Sequence, residues 1–209
     1  MKKNRNWINR HRRDPFVREA NAAGYRSRAA YKLLEIHRRD KLFRRGDTVV
    51  DLGAAPGGWS QVASQQVGAG GRVIAVDILP MESLPGVVTL QKDIHDAILR
   101  DRIKEVLAGN AVRIVISDMA PNITGVNALD QPRAMGMAEL ALEVSRGILV
   151  PGGNFLVKVF QGEEFDAFLK MVRSHFSEAA IRKPQASRSD SREVYVLGRG
   201  FRGLEEPRS

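Results

Sequence analysis

The segment Asp51–Ser60 reads DLGAAPGGWS and lies directly after an apolar run, just ahead of a stretch with helical spacing. Gly53, Gly57 and Gly58 permit positive φ and close approach of the backbone to a ligand, as a nucleotide site after a first strand requires. Three ligand types compete for such a loop. Gly53 and Gly58 have the spacing of a phosphate-cradling loop, but Trp59 stands where that motif needs a lysine, so triphosphate hydrolysis is disfavoured. Ala55 replaces the second glycine of the dinucleotide fingerprint, which makes NAD a poor fit. A nucleoside without phosphates remains. Asp77, about 20 residues beyond Gly57, can accept both ribose hydroxyls. Asp93, after the next apolar run, can accept an adenine amino group, and Asp51 lies near the loop where positive amino and sulfonium groups would sit. S-adenosylmethionine has those features.

The acceptor side begins at Asp118-Met119-Ala120-Pro121-Asn122, after the fourth apolar run. Enzymes that use this cofactor on base amines carry a stacking aromatic here, in the pattern [DN]-P-P-[YFW]; this chain has none. Methylation of pyrimidine C5 needs a cysteine nucleophile, and cysteine is absent. A hydroxyl acceptor is left. Lys158 lies within Asn154–Phe160 (NFLVKVF), where an ammonium without a partner is costly. Desolvation favours the neutral form of a lysine and equips it as a base, whereas a neighbouring acid opposes that shift. Glu193 opens the last apolar run after a long loop, and an antiparallel strand there starts at the edge where Asp118 and Lys158 fall. Lys32 is on a basic helix ahead of the sheet, beside its apolar stripe, and can fold over the same edge.

The elements that must hold these groups are legible from the alternation of short apolar runs with helical stretches. Strands are expected over Thr48–Leu52, Arg72–Asp77, Val87–Gln91, Ala111–Asp118, Asn154–Phe160 and Val194–Gly198. Helices are expected near Arg28–Arg39, Trp59–Val67, Asp96–Leu107, Ala134–Leu149 and Glu163–Phe176. Runs such as Val73-Ile74-Ala75-Val76 are apolar on both faces, which implies a doubly wound α/β domain with a parallel sheet covered on both sides. The divisions read as a basic, partly flexible arm over 1–25, a single domain over 26–198 and a frayed tail over 199–209. Lys183–Arg192 reads as a polar loop.

Charge is distributed unevenly. The net charge is +9, from 33 Lys+Arg against 24 Asp+Glu, and the whole excess lies within the first 45 residues. Segregation of that kind favours contact with a polyanion, nucleic acid first. Arg10, Arg12, Arg13, Arg26, Arg28, Arg38, Arg39, Arg44 and Arg45, with Lys32, are the candidate phosphate ligands. Aromatic residues form only 6% of the chain, so folded RNA or a ribonucleoprotein suits it better than a stacked single strand. No apolar run approaches the ~18 residues of a membrane helix. No signal peptide is evident, the scattered histidines suggest no metal, and a cytoplasmic monomer is expected.

SRAAYKL (Ser27–Leu33), DLGAAPGGWSQ (Asp51–Gln61), SDMAPN (Ser117–Asn122), VKVFQG (Val157–Gly162) and SREVY (Ser191–Tyr195) together resemble the FtsJ/RrmJ family of ribose 2′-O-methyltransferases. The resemblance covers nearly everything from Arg26 to Gly198. It implies a Rossmann-like methyltransferase fold, with a mostly parallel seven-stranded sheet, one antiparallel strand and helices on both faces. It implies a catalytic tetrad of Lys32, Asp118, Lys158 and Glu193, with Lys158 as proton acceptor, and S-adenosylmethionine contacts at Gly57, Trp59, Asp77, Asp93 and Asp118. The implied acceptor is a uridine ribose in large-subunit ribosomal RNA, in the assembled subunit. Transfer RNA, a messenger cap, or a ribosome-assembly role without turnover stay open as alternatives.

Overall fold

The computed structural model describes residues 14–121, 127–188 and 191–203. Arg10, Arg12, Arg13 and Asn122 therefore lie outside the described residues, as does most of the basic arm. Asp14 caps helix α1 (Pro15–Ala22), its side chain accepting from the Phe16 N–H, and Pro15 supplies the preset φ of a first turn. Helix α2 (Ala29–Asp40) follows, buries Ala30, Leu33, Leu34 and Ile36, and stops where Lys41 turns to φ 50°.

Seven strands form one sheet: β1 (Thr48–Leu52), β2 (Arg72–Asp77), β3 (Val87–Gln91), β4 (Val112–Ser117), β5 (Leu149–Phe160), β6 (Phe176–Arg182) and β7 (Glu193–Phe201). Their order is β3-β2-β1-β4-β5-β7-β6. The pairs from β3 to β5 are parallel, and β7 runs antiparallel between β5 and β6. The fold is thus the mostly parallel α/β sheet with one reversed strand. Side chains alternate across it. Val49, Val73, Ile114, Leu156 and Leu197 meet α2 and α3 (Gly58–Val67). Val50, Ile74, Val115, Phe155 and Val196 meet α4 (Leu99–Leu107), α5 (Asn127–Ile148) and α6 (Phe165–His175) on the other face.

Beyond shifts of one to three residues at element ends, four features depart from the sequence reading. The β6 segment, FSEAAIR, lies at the sheet edge with only Phe176 buried, so neither an apolar run nor strict alternation announced it. β5 begins at Leu149 and passes through Pro151-Gly152-Gly153 before its apolar stretch. Helix α5 starts well before Ala134 and contains Pro132. Strand β7 continues to Phe201, which is buried, so Arg199–Phe201 belong to the sheet and not to a frayed tail.

Candidate active site

The carboxyl ends of β1, β2 and β4 open onto a cavity of about 390 Å³. The turn that leaves β1 is tight: the Gly53 and Ala54 N–H groups both donate to the Val76 carbonyl, at 2.8 and 3.1 Å. Gly53 has φ +73°, and a Cβ there would stand 2.0 Å from Met119 Cγ, so only glycine lets the β1 and β4 loops close over the cavity. Asp77 joins the rims. Its Oδ2 accepts the Ala55 N–H and its Oδ1 the Leu79 N–H, both at 2.8 Å, which leaves lone pairs on each oxygen for two further hydroxyls. Asp93 Oδ1 accepts from the His95 N–H at 2.9 Å and lies 2.8 Å from His95 Nδ1; these contacts hold its carboxyl below the ordinary range.

Gly53, Asp77, Asp93 and Asp118 share this wall with Leu52, Val76, Ile94 and Met119. Lys92 and His95 line it as well, Lys92 lying 3.6 Å from Asp96 and His95 bound to Asp93, so three acids beside apolar surface, without a lysine in the glycine loop, suit a nucleoside bearing positive charge. The group that the sequence suggests therefore fits the donor set. Asp51, Gly57 and Trp59 stand off this wall. Asp51 is buried behind the loop and accepts from Ser60 Oγ at 2.6 Å; burial pushes its carboxyl up to about 7 despite that bond. Trp59 is also buried, donating from Nε1 to the Ala29 carbonyl at 2.8 Å, with its ring 5.6 Å from that of Tyr195. Asp51 thus ties the end of β1 to α3 through Ser60, and Trp59 ties α3 to α2 through Ala29.

Next to the cavity, on the α2 face, the four tetrad side chains converge. Lys158 is 8% exposed within β5, its Nζ 3.1 Å from Asp118 Oδ1 and donating to the Asp118 carbonyl at 2.5 Å. Lys32 Nζ donates to Glu193 Oε1 at 2.6 Å. Tyr195 connects the two pairs. It lies opposite Lys158 in the antiparallel register, and its hydroxyl is 2.8 Å from Asp118 Oδ1 and 3.2 Å from Glu193 Oε1. Burial, with both acids beside it, raises the phenol well above its ordinary range, so it stays a donor. Ser187 Oγ adds a bond to Glu193 Oε1 at 2.9 Å. Burial alone would raise the Glu193 carboxyl; Lys32, Lys158 and Ser187 outweigh it and hold that carboxyl below its usual value.

Tyr195 and Ser187 were missed as site residues by the sequence reading. The signal for Tyr195 was its place two residues after Glu193, on the same face of a strand. Ser187 had no comparable signal. Its loop is not free polar chain: Gln185 N–H donates to both Glu35 carboxylate oxygens, Arg28 donates to the Ala186 carbonyl, and Ala186 and Ser187 are buried.

The basic residues separate into classes that composition cannot distinguish. Arg26 and Arg28 are committed within the chain, Arg28 also pairing with Asp14. Arg38 and Arg39 are exposed on the last turn of α2. Arg44 and Arg45 are exposed too, but they precede the amino end of β1, at the sheet edge opposite the tetrad.

Residues 25–201 match the family described as FtsJ-like methyltransferase. The chain is 53% identical over 205 residues to ribosomal RNA large subunit methyltransferase E of Pseudomonas fluorescens, covering 98% of both. It is 54% identical over 202 residues to the protein of that name in Pseudomonas aeruginosa, covering 97% of this chain and 98% of the relative. Among solved structures, a ribosomal RNA methyltransferase of Plasmodium falciparum superposes with a TM-score of 0.76 at 25% identity, covering 86% of this chain and 100% of that one.

Proposed function

The chain belongs to the FtsJ-like methyltransferase family, and on that premise we propose that it methylates large-subunit ribosomal RNA at a ribose 2′-hydroxyl of a uridine, with S-adenosylmethionine as donor. The observation that carries this reading is the junction of two lysine–acid pairs, Lys158–Asp118 and Lys32–Glu193, beside a cavity lined by Asp77, Asp93 and Asp118. Simple RNA binding has no use for a lysine buried in a strand against an acid.

S-adenosylmethionine, when bound, supplies a methyl group activated by its sulfonium for in-line displacement. Asp77 and Asp93 would hold the nucleoside through its ribose hydroxyls and its base amine, and Asp118 serves both sides, lining that cavity and pairing with Lys158. Asp51, Gly57 and Trp59 act by keeping the glycine loop in shape. Lys158 Nζ takes the proton that leaves the ribose hydroxyl as its oxygen accepts the methyl group. Asp118 orients that nitrogen through its carboxylate and its backbone carbonyl. Lys32 and Glu193 position the ribose so that its oxygen starts within near-attack distance, and Lys32, already donating to Glu193, has further N–H donors for an adjacent phosphate. Tyr195 fixes the spacing between Asp118 and Glu193.

Labelled S-adenosylmethionine, large ribosomal subunits, naked ribosomal RNA and transfer RNA test the proposal with wild type and Lys158→Ala. The expected result is label on ribosomal material as a 2′-O-methyl nucleoside, with turnover down by at least about a hundredfold in the variant, the range of a general base, and cofactor affinity intact. Label on transfer RNA alone would overturn the substrate, and undiminished turnover in Lys158→Ala would overturn the base.

A further inference from the structure

We propose that Arg26 is a positioning residue for the donor cavity, holding its two rim loops together, and is not a ligand for RNA phosphate. This rests on the reading of that cavity as the S-adenosylmethionine site. The charge count placed Arg26 among the phosphate ligands, but its guanidinium is already engaged. Nη1 donates to the Pro56 carbonyl at 3.2 Å and the Glu82 carbonyl at 2.8 Å, and Nη2 donates to the Ser83 carbonyl at 2.9 Å. Pro56 belongs to the glycine loop after β1. Glu82 and Ser83 belong to the loop that leaves Asp77 at the end of β2. One planar fork therefore ties together two segments that have no covalent connection nearby.

The backbone around Arg26 is fixed as well. Its N–H donates to Gln61 Oε1 on α3 at 2.9 Å, and Gln61 Nε2 donates back to the Gly24 carbonyl at 2.8 Å. The guanidinium rests against Gly57, where a Cβ would stand 3.0 Å from Nη1. Only 19% of the side chain is exposed. Three of the five guanidinium N–H donors are spent on these carbonyls, and Nη2 also lies 3.8 Å from the Glu82 carboxylate, which opposes the approach of a phosphate to the two that remain.

The same two loops are joined from inside by Asp77, through the Ala55 and Leu79 N–H groups. Arg26 is the outer tie and Asp77 the inner one. Without the outer tie the loops sample wider separations, so a cofactor must order them as it binds and loses affinity accordingly.

Calorimetric titration of S-adenosylhomocysteine into the full chain, its Arg26→Ala variant and its Arg26→Lys variant tests this, with binding of a large-subunit ribosomal RNA transcript measured over a range of salt. Arg26→Ala is expected to weaken cofactor binding by at least about tenfold, the worth of one charge-assisted hydrogen bond. Millimolar methylguanidinium should restore part of that loss. RNA affinity and its salt slope should equal those of the wild type, and Arg26→Lys, with a point charge in place of the fork, should fall between. Unchanged cofactor affinity overturns the clamp, as does a loss confined to RNA with a shallower salt slope. Should Arg26→Ala not fold, Arg26→Lys carries the same comparison. A wild type that binds no S-adenosylhomocysteine overturns the cavity reading and the clamp with it.

Discussion

Glu193 gathers three side-chain contacts within hydrogen-bonding distance, from Lys32, Ser187 and Tyr195. Its carboxyl is depressed, so a site that needs the ionised acid works above that value and fails as pH falls through it. Ser187→Ala removes a hydrogen bond that favours the charged form. The acid limb of the kcat/KM profile should therefore move to higher pH while the alkaline limb stays in place. An unmoved acid limb would show that the hydroxyl only fills space. At this scale the sequence was informative about residue type and poor about direction. Lys158 stood out because a charge within NFLVKVF demands a partner, and Asp118 was close at hand at the end of the neighbouring strand. Arg26 and Arg28 counted among the phosphate candidates because an arginine's charge is visible in a sequence and the destination of its donors is not. Here those donors go to Asp14, 14 residues away, and to carbonyls 30 to 158 residues away.

Helix α2 carries Lys32 near its start and is fastened at its other end by Asp40. That acid accepts two bonds from Arg182, at 2.6 and 2.7 Å, and lies 3.7 Å from Arg199, so α2 is pinned to β6 and β7. Burial alone would raise the Asp40 carboxyl; the two arginines more than reverse this. Asp40→Ala should cost about 2 kcal/mol in urea unfolding, between the worth of an exposed pair and a buried one. Neutralising Glu105, whose pair with Arg102 is open to solvent on α4, should cost little by comparison. The parallel core strands were legible because they are apolar on both faces. Strand β6 was not, because an edge strand needs only one partner and one buried residue here, and its composition is that of a surface helix.

Among the described residues, the positive charge that precedes β1 does not gather on one surface. Arg38 and Arg39 lie roughly 10 Å along α2 from Lys32, taking 1.5 Å per residue. Arg44 and Arg45 adjoin the far edge of the sheet. RNA affinity measured against salt should therefore lose slope when Arg38 and Arg39 become glutamine, by about 0.7 to 0.9 per contact removed. The Arg44→Gln, Arg45→Gln pair should leave the slope closer to that of the wild type, and equal losses from both pairs would mean that RNA wraps the whole domain. Topology adds a constraint of a different kind. Strand β7 is the last of the seven strands in chain order, yet it is inserted between β5 and β6 and brings both Glu193 and Tyr195. Lys32 waits 161 residues for its partner. During biosynthesis the donor cavity is encoded early, but the tetrad closes only with the final strand. A chain that ends before that point leaves the facing edges of β5 and β6 open and lacks Glu193 and Tyr195, so Lys32 has no acid to meet and Asp118 loses its phenol contact.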